Sequence, residues 1–336
     1  MAGRVRLGGN MAREPIGVIL LNMGGPDTLA DVEPFLFELF SDRQIIRLGP
    51  FPFLQKFIAR RIAAKRAPKS QEAYALIGGG SPQKRLTLEQ GEALAGVLAP
   101  VGAFTVKLAM RYWSPRADVA LESFKAAGVK RIVALSLYPH YSKATGGSSL
   151  ADLRRAAAAS GHLFELAEIG SWPVATRYVD CLVDDIKAGL AQLPANGKTV
   201  VVYSAHSLPV QFIEEGDPYL DQINETIGAV EAKTGVRGRL CFQSRSGPVR
   251  WLEPSTPDML ATLAAEGAED LLVVPISFVS DHVETLYEID MLYREQAAAM
   301  GMRLHRTPGL NARPNFVAAL QDLVLSACRE RNWLAD

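Results

Sequence analysis

Cysteine is scarce in this chain: Cys181, Cys241 and Cys328 are the only three in 336 residues, odd in number and far apart. That usage argues against a disulfide framework and for a reducing, cytosolic compartment. Three scattered thiols also cannot supply the four ligands of an iron–sulfur cluster. Long apolar runs are missing as well. The longest, such as Gly17 to Leu21 and Leu271 to Pro275, fall far short of the roughly 20 residues that span a bilayer. Net charge is zero, 36 basic residues against 36 acidic, without the basic excess of a nucleic-acid binder. Met1 to Arg13 carries basic residues but no apolar h-region. It reads as a ragged leader rather than a secretory signal, with Met11 a second candidate start.

What is present is ordinary for a globular protein: 48% hydrophobic and 21% charged residues. The length exceeds what one compact core usually holds, so two domains are expected. Short β-branched or apolar runs alternate with longer helical patterns, the signature of an α/β fold with parallel sheets. The expected strands are Ile16–Leu21, Thr105–Met110, Arg131–Leu137, Leu163–Ile169, Thr199–Ser204, Arg239–Gln243 and Asp270–Phe278. Apolar spacing near 3.6 predicts helices over Gln83–Leu98, Ala117–Ala127, Leu150–Ala159, Val174–Leu190, Pro218–Lys233, Pro257–Ala265, Val283–Met300 and Pro314–Arg331.

The two halves resemble each other. Leu20-Leu21-Asn22-Met23-Gly24-Gly25-Pro26 parallels Val202-Tyr203-Ser204-Ala205-His206-Ser207-Leu208-Pro209, and Ala127–Tyr138 parallels Glu266–Phe278. A duplication would give two similar Rossmann-like domains facing across a cleft, each a parallel sheet flanked by helices. The expected division is 15–170 and 171–313, with the C-terminal helix at 314–333 returning to complete the first domain. Ligands in such folds sit beyond the carboxyl ends of the strands, which places Met23, Tyr138, His206 and Phe278 at the mouth of one cleft. An extra segment, 30–69, is dense in aromatic residues and ends in the basic run Arg60, Arg61, Lys65, Arg66 and Lys69. It reads either as an apolar lip that meets a membrane surface through its basic flank or as a helical hairpin that buries those side chains.

Two stretches carry candidate chemistry. His206 follows an apolar strand, where an imidazole can serve as base or metal ligand, although a single histidine is more often structural. Ser280-Asp281-His282-Val283-Glu284-Thr285-Leu286-Tyr287-Glu288-Ile289-Asp290 opens a helix. Asp281, Glu284 and Glu288 share one face of it, a costly clustering unless a cation or shared protons relieve it. A solvated acidic face is the plainer alternative, but the preceding apolar strand directs the first turn toward the cleft.

With these stretches in view the chain resembles the ferrochelatase family. Five motifs match it in order: Asn22-Met23-Gly24-Gly25-Pro26, Ile77-Gly78-Gly79-Gly80-Ser81-Pro82, Ser204–Pro209, Gln243-Ser244-Arg245-Ser246-Gly247-Pro248 and Asp281–Asp290. The match runs from about Gly17 to about Asn315. The resemblance implies a chelatase-like pair of Rossmann-like domains around a porphyrin cleft, and insertion of ferrous iron, as substrate, into protoporphyrin IX. It also implies site roles. His206 matches the active-site histidine and Glu284 the metal-site glutamate, so these two are the expected metal-facing residues. Glu288 and Asp281 extend an acidic chain, with His282 beside it. Met23 matches a position near the porphyrin face, and Arg111 and Tyr112 the porphyrin-side pair. Lys65, Arg66, Tyr74 and Ser81 match positions near the propionates or pocket rim, while Tyr138, Trp251 and Phe278 line the pocket.

Such residues suit the reaction. Metal insertion removes two pyrrole protons, for which a neutral imidazole is a fitting acceptor. Carboxylates can deliver a divalent ion or relay protons, flat apolar side chains grip the ring, and Arg pairs with propionates. Whether His206 or the carboxylates take the pyrrole protons is left open by the residues alone. Lys143 stands where some relatives carry a cluster-ligating cysteine, so no [2Fe–2S] cluster is expected. Met23 favours protoporphyrin IX over coproporphyrin III. Other readings are a sirohydrochlorin or cobalt chelatase, which the aromatic-rich lip disfavours, and a tetrapyrrole carrier without turnover. A cytoplasmic location, peripheral contact with the inner membrane surface and contact with the enzyme that supplies the porphyrin complete the expectation.

Overall fold

The computed structural model describes residues 14–48, 51–245 and 247–334. The leader Met1–Arg13, Gly49 and Pro50 of the lip, and Ser246 lie outside the described residues.

Strands β1 (Ile16–Asn22), β2 (Phe104–Met110), β3 (Arg131–Ser136) and β4 (Glu165–Ile169) form one sheet. Strands β5 (Thr199–His206), β6 (Gly238–Gln243), β7 (Asp270–Pro275) and β8 (Arg303–Arg306) form a second. The orders are β2-β1-β3-β4 and β6-β5-β7-β8, the same order twice, and every strand pair is parallel. The internal repeat seen in the sequence is therefore a repeat of topology. In each sheet the order reverses at the first strand, between β1 and β3 and between β5 and β7. Crevices for ligands open at such switch points, and the segments leaving them are Met23, Tyr138, His206 and Phe278.

The helices are α1 (Val32–Ser41), α2 (Gln55–Leu76), α3 (Gln83–Leu98), α4 (Ala117–Ala126), α5 (Ser148–Ala159), α6 (Thr176–Leu190), α7 (Val210–Glu214), α8 (Tyr219–Thr234), α9 (Thr256–Ala265), α10 (Arg294–Ala299) and α11 (Pro314–Glu330). Two π-helices, Lys143–Gly147 and Glu284–Tyr293, follow β3 and β7 at equivalent places in the two halves.

The central strands β1 and β3 of the first sheet are largely apolar on both faces, as strands covered by helices must be, while the edge strands β2 and β4 expose Lys107 and Glu165. Ile16, Val18 and Leu20 of β1 turn toward α3 and α11, while Ile19 and Leu21 turn toward α4 and α5. The first of these cores runs without a break into the second sheet, joining Leu94 and Leu98 to Phe316, Tyr178, Val201, Tyr203 and Val274. On the far side of the second sheet, Val202, Leu271 and Val273 pack on Met259, Leu263 and Ala297.

Several expectations are corrected. β7 ends at Pro275, so Phe278 is in the turn beyond it. β4 begins at Glu165, leaving Leu163 exposed. The helix expected over Val283–Met300 is a π-helix followed by the short α10. β8 was not expected at all, because four residues with three basic side chains form no apolar run. The 30–69 segment divides between its two readings. Val32, Phe35, Leu36 and Phe40 of α1 are buried against Ala59, Ala63 and Ala67 of α2, a helical hairpin. Phe51, Phe53 and Phe57 at its tip are exposed.

Candidate functional site

His206 is the last residue of β5, and the end of a parallel strand holds its side chain over the crevice. Its backbone is fixed on both sides: the N–H donates to Ser277 Oγ at 3.0 Å, and the carbonyl accepts from the Tyr219 hydroxyl at 2.9 Å. The ring Nδ1 lies 2.8 Å from Glu284 Oε2. With a carboxylate there, Nδ1 carries the proton in the neutral ring and Nε2 is left as acceptor. The Phe278 ring stands edge-on to His206, 6.4 Å between centroids, and leans on His282 at 4.2 Å.

Glu284 and Glu288 lie on the π-helix, and both reach Ser244 Oγ, at 2.9 and 2.7 Å. A hydroxyl has one proton to donate, so one of the two contacts is completed by a proton on a carboxyl group. The electrostatics assign it to Glu288. Burial raises the Glu288 carboxyl, the Glu284 charge beside it raises it further, and together they outweigh the hydrogen bond from Ser244, to about 7. Burial pushes Glu284 in the same direction, but His206, His282 and Ser244 overcome it and hold Glu284 below its ordinary value. Burial likewise opposes a charge on His206, and the Glu284 carboxylate, with help from Glu288, overrides it and raises the imidazole. The result is an ordered chain of bonds: Glu288 to Ser244, Ser244 to Glu284, Glu284 to His206.

His282 differs from His206. It is buried, and burial lowers its pKa despite Glu284 and Asp281 nearby. Its Nδ1 sits 3.1 Å from the Ser280 carbonyl, so it carries the proton, and Nε2 has no hydrogen-bond partner among the described residues. Nε2 lies 4.0 Å from Glu284 Oε1. Among the described residues no three His, Cys, Asp or Glu side chains already stand together as a metal site.

Asp281 does not join this chain as the shared helical face suggested. Its carboxylate is taken up by Arg306 at 2.9 Å, Asn311 Nδ2 at 2.9 Å and Thr285 Oγ1 at 3.2 Å. Periodicity could not anticipate that, because Arg306 comes from β8. Ser244 was quoted within a motif without a role of its own. The signal that could have singled it out is conformational: it has φ of 65°, a backbone setting that side-chain-bearing residues adopt sparingly and that clusters at functional sites.

The facing half supplies the other wall. Met23 packs with Tyr74, Tyr112 and Trp113, and Val283 joins that cluster from the opposite half just before Glu284. Tyr74 is buried, and its hydroxyl is pushed up by burial and by the Glu284 charge. Tyr138, Phe278, Asn22, Gln83 and Ser277 line a pocket of about 240 Å³ between the strand ends. Ser81 sits in a tight crossing of the two glycine-rich motifs: Ser81 N–H donates to the Pro26 carbonyl at 2.7 Å, and a Cβ on Gly25 would lie 2.5 Å from Ser81.

Arg111 and Tyr112 share one carboxylate, that of Asp42. Arg111 Nη2 and the Tyr112 hydroxyl both donate to Asp42 Oδ2, at 2.8 and 2.7 Å, and Ser148 completes the cluster. The pair anchors the end of α1 to the body of the molecule, a role for Asp42 that no motif announced. Arg66 lies over the Phe40 ring at 5.3 Å, whereas Lys65 is exposed on the face of α2 turned away from Ala63 and Ala67. Trp251 is half-buried in the loop that pairs with Pro209, three residues beyond His206.

A family model described as Ferrochelatase matches residues 15–328. The chain is 56% identical over 317 residues to a ferrochelatase of Desulfotalea psychrophila, covering 94% of this chain and 98% of that protein. It is 50% identical to one from Geotalea uraniireducens, covering 93% and 97%. Among solved structures, SirB from Bacillus subtilis with Fe3+ superposes with a TM-score of 0.56 at 12% identity, over 96% of this chain and all of that one. That similarity is one of fold.

Proposed function

Because the chain belongs to the ferrochelatase family, we propose that it inserts ferrous iron into protoporphyrin IX, releasing two protons and forming protohaem. It is a metal chelatase of the lyase class, and iron and porphyrin are its substrates. The observation that carries the residue assignment is the chain from Glu288 through Ser244 and Glu284 to His206.

Nε2 of neutral His206 accepts a pyrrole proton, and the resulting imidazolium is stabilised by Glu284 at 2.8 Å. Glu288, poised near neutrality, releases its proton outward, and the Ser244 hydroxyl turns from Glu284 to the Glu288 carboxylate, so that Glu284 takes the Nδ1 proton and passes it on to Ser244. The ring proton left on Nε2 moves to Nδ1 by exchange through water, which frees Nε2 to accept the second pyrrole proton. As protons leave, the Glu284 carboxylate and the His206 imidazole are the groups suited to hold the incoming ferrous ion. His282, kept neutral by burial, adds a lone pair beside Glu284 without adding charge. Phe278, Tyr138 and Met23 supply flat and polarizable surface for the macrocycle. Lys65 and Arg66 on α2 are assigned to the propionates on the strength of the family match.

The division of the chain near residue 170 fits the two sheets, whose strands come from 16–169 and 199–306, with α11 packed on α3 and β4. No helix among the described residues is long and apolar enough to cross a membrane. The exposed Phe51, Phe53 and Phe57, with Arg61 over the Phe57 ring at 4.4 Å, support a peripheral contact with an anionic bilayer.

The test is anaerobic turnover of the purified protein with ferrous iron or zinc, offering protoporphyrin IX and coproporphyrin III in parallel. Conversion of protoporphyrin IX, reduced at least 100-fold in His206→Ala, is the expected result. Preference for coproporphyrin III would keep the chelatase and remove the substrate assignment. Tight tetrapyrrole binding with no insertion would make the protein a carrier.

A further inference from the structure

We propose that Arg306 is a positioning residue for metal insertion, its one guanidinium bridging Asp281 and Asp290 and so fixing the π-helix that presents Glu284 and Glu288 to Ser244. The inference rests on the function proposed above.

Four carboxylates, Asp281, Glu284, Glu288 and Asp290, fall within ten residues. They are disposed in two pairs. Glu284 and Glu288 converge on Ser244, whereas Asp281 and Asp290 converge on Arg306. Arg306 Nε and Nη2 take Asp290 in a two-bond fork, at 2.9 and 2.7 Å, and Nη1 reaches Asp281 at 2.9 Å. The guanidinium therefore holds the segment once before its first turn and once near its end. Both bonds sit in restricted surroundings, since the Arg306 side chain is only 10% exposed. Asp290 has one further cation nearby, Arg294 at 3.3 Å, which is half exposed and makes a single long contact.

The need for such a hold is mechanical. Hydrogen bonds from i to i+5 are seldom sustained beyond a single turn, yet this π-helix runs for ten residues. Left to itself the run would relax toward α-helical pitch, which rotates Glu288 relative to Glu284 and pulls one of them from Ser244. The fork geometry matters because only a guanidinium can pair with one carboxylate through two parallel bonds and still reach a second. Asp281 is shaped for the same purpose. Its backbone N–H donates to Asn311 Oδ1 at 3.0 Å, and a Cβ on Gly309 would come within 2.8 Å of its carboxylate. The loop after β8 is thus built closely around the carboxylate that Arg306 holds.

The experiment is steady-state zinc insertion, using the porphyrin that the parent protein accepts, for Arg306→Met, Arg306→Lys, Asp290→Asn and the double variant Arg306→Met/Asp290→Asn. Arg306→Met is expected to lower kcat at least tenfold with KM for porphyrin within twofold, because the ring-binding wall is untouched. Arg306→Lys keeps the charge, loses the fork and recovers less than half of the lost rate. Asp290→Asn, nearly isosteric and partly exposed, should fall in the same direction, and the double variant should be no worse than Arg306→Met alone. A residue acting through stability alone would not lower kcat while leaving the porphyrin KM unchanged. Should Arg306→Met fail to fold, Asp290→Asn carries the test. Unchanged kcat in the folded variants, or a rise in porphyrin KM with kcat preserved, overturns the inference while the parent still turns over. Absence of insertion in the parent overturns the functional reading itself.

Discussion

Two histidines of one site are set in opposite protonation preferences by their neighbours. For His206, burial disfavours the charge, but Glu284 and Glu288 override it, and its pKa is raised. For His282, burial prevails over Glu284, and its pKa is lowered. The sign of the linkage follows. A histidine raised in the folded state contributes stability that is complete below its unfolded value of about 6.5 and is lost as pH rises through the folded one. Glu284, held low, contributes stability above its unfolded value that is lost as pH falls through the folded one. Because the neutral imidazole accepts the pyrrole proton, insertion should speed up as pH rises through the raised His206 value. Glu284→Gln removes the dominant raising influence. The His206 titration, followed by NMR of the imidazole carbons in metal-free protein, should move to lower pH by about one unit or more; an unmoved titration would show that the 2.8 Å pairing does not control it. The identity of both histidines was legible from position, after an apolar strand and at a helix start. Their difference was not, since it depends on which of them the fold brings to 2.8 Å from Glu284.

At the scale of elements, the lip shows how one segment can satisfy two readings. α1 presents large side chains, Phe35, Leu36 and Phe40, to a seam of alanines on α2, Ala59, Ala63 and Ala67. Small residues four apart let the helices approach closely, and they leave no apolar stripe by which α2 could be recognised in the sequence. The aromatic residues beyond α1 have no such seam to enter. Phe51 and Phe53 stack on each other at 5.6 Å and remain exposed, with basic residues following. Removing two such rings deletes a few kcal/mol of transferable apolar surface. Phe51→Ser/Phe53→Ser should therefore weaken cosedimentation with vesicles containing anionic lipid by at least tenfold, with turnover on detergent-dispersed porphyrin retained. Equal binding of parent and variant would mean that the tip does not contact lipid. The π-helix belongs to this scale too. Its spacing of acids reads as one α-helical face, and the wider pitch together with Arg306 reassigns those acids to two separate partners.

At the scale of the whole molecule, the two sheets share one core rather than meeting as separate bodies. Phe316 of α11 is fully buried and lies 6.1 Å from Trp172, between α3 of the first half and Tyr178 of the second. Polar ties reinforce the junction. Gln90 donates to Ser280 Oγ at 3.0 Å and to the Asn311 carbonyl at 2.9 Å, while Asp217 accepts from Ser142 Oγ at 2.9 Å and from the Lys143 N–H at 2.8 Å. Each half thereby holds the segment that leads into the π-helix of the other. Phe316→Ala should cost about 3–5 kcal/mol, and unfolding should remain a single transition in which both halves melt together. Two separated transitions would instead show that the junction is not part of a common core.

The sequence by itself determined the α/β class, the duplicated order of strands and helices, and the candidate residues His206, Glu284, Glu288 and Phe278. These rest on local periodicity and on strand ends, which are properties of short stretches. Tertiary structure decided which candidates act together. It turned Asp281 to Arg306, joined Glu284 and Glu288 through Ser244, committed Arg111 and Tyr112 to Asp42, and added β8, whose residues become a strand only because β7 offers an edge. Each of those outcomes depends on partners 16 or more residues away. No spacing within a single element encodes such a partner; it emerges when the carboxyl ends of two sheets are brought to the same crevice.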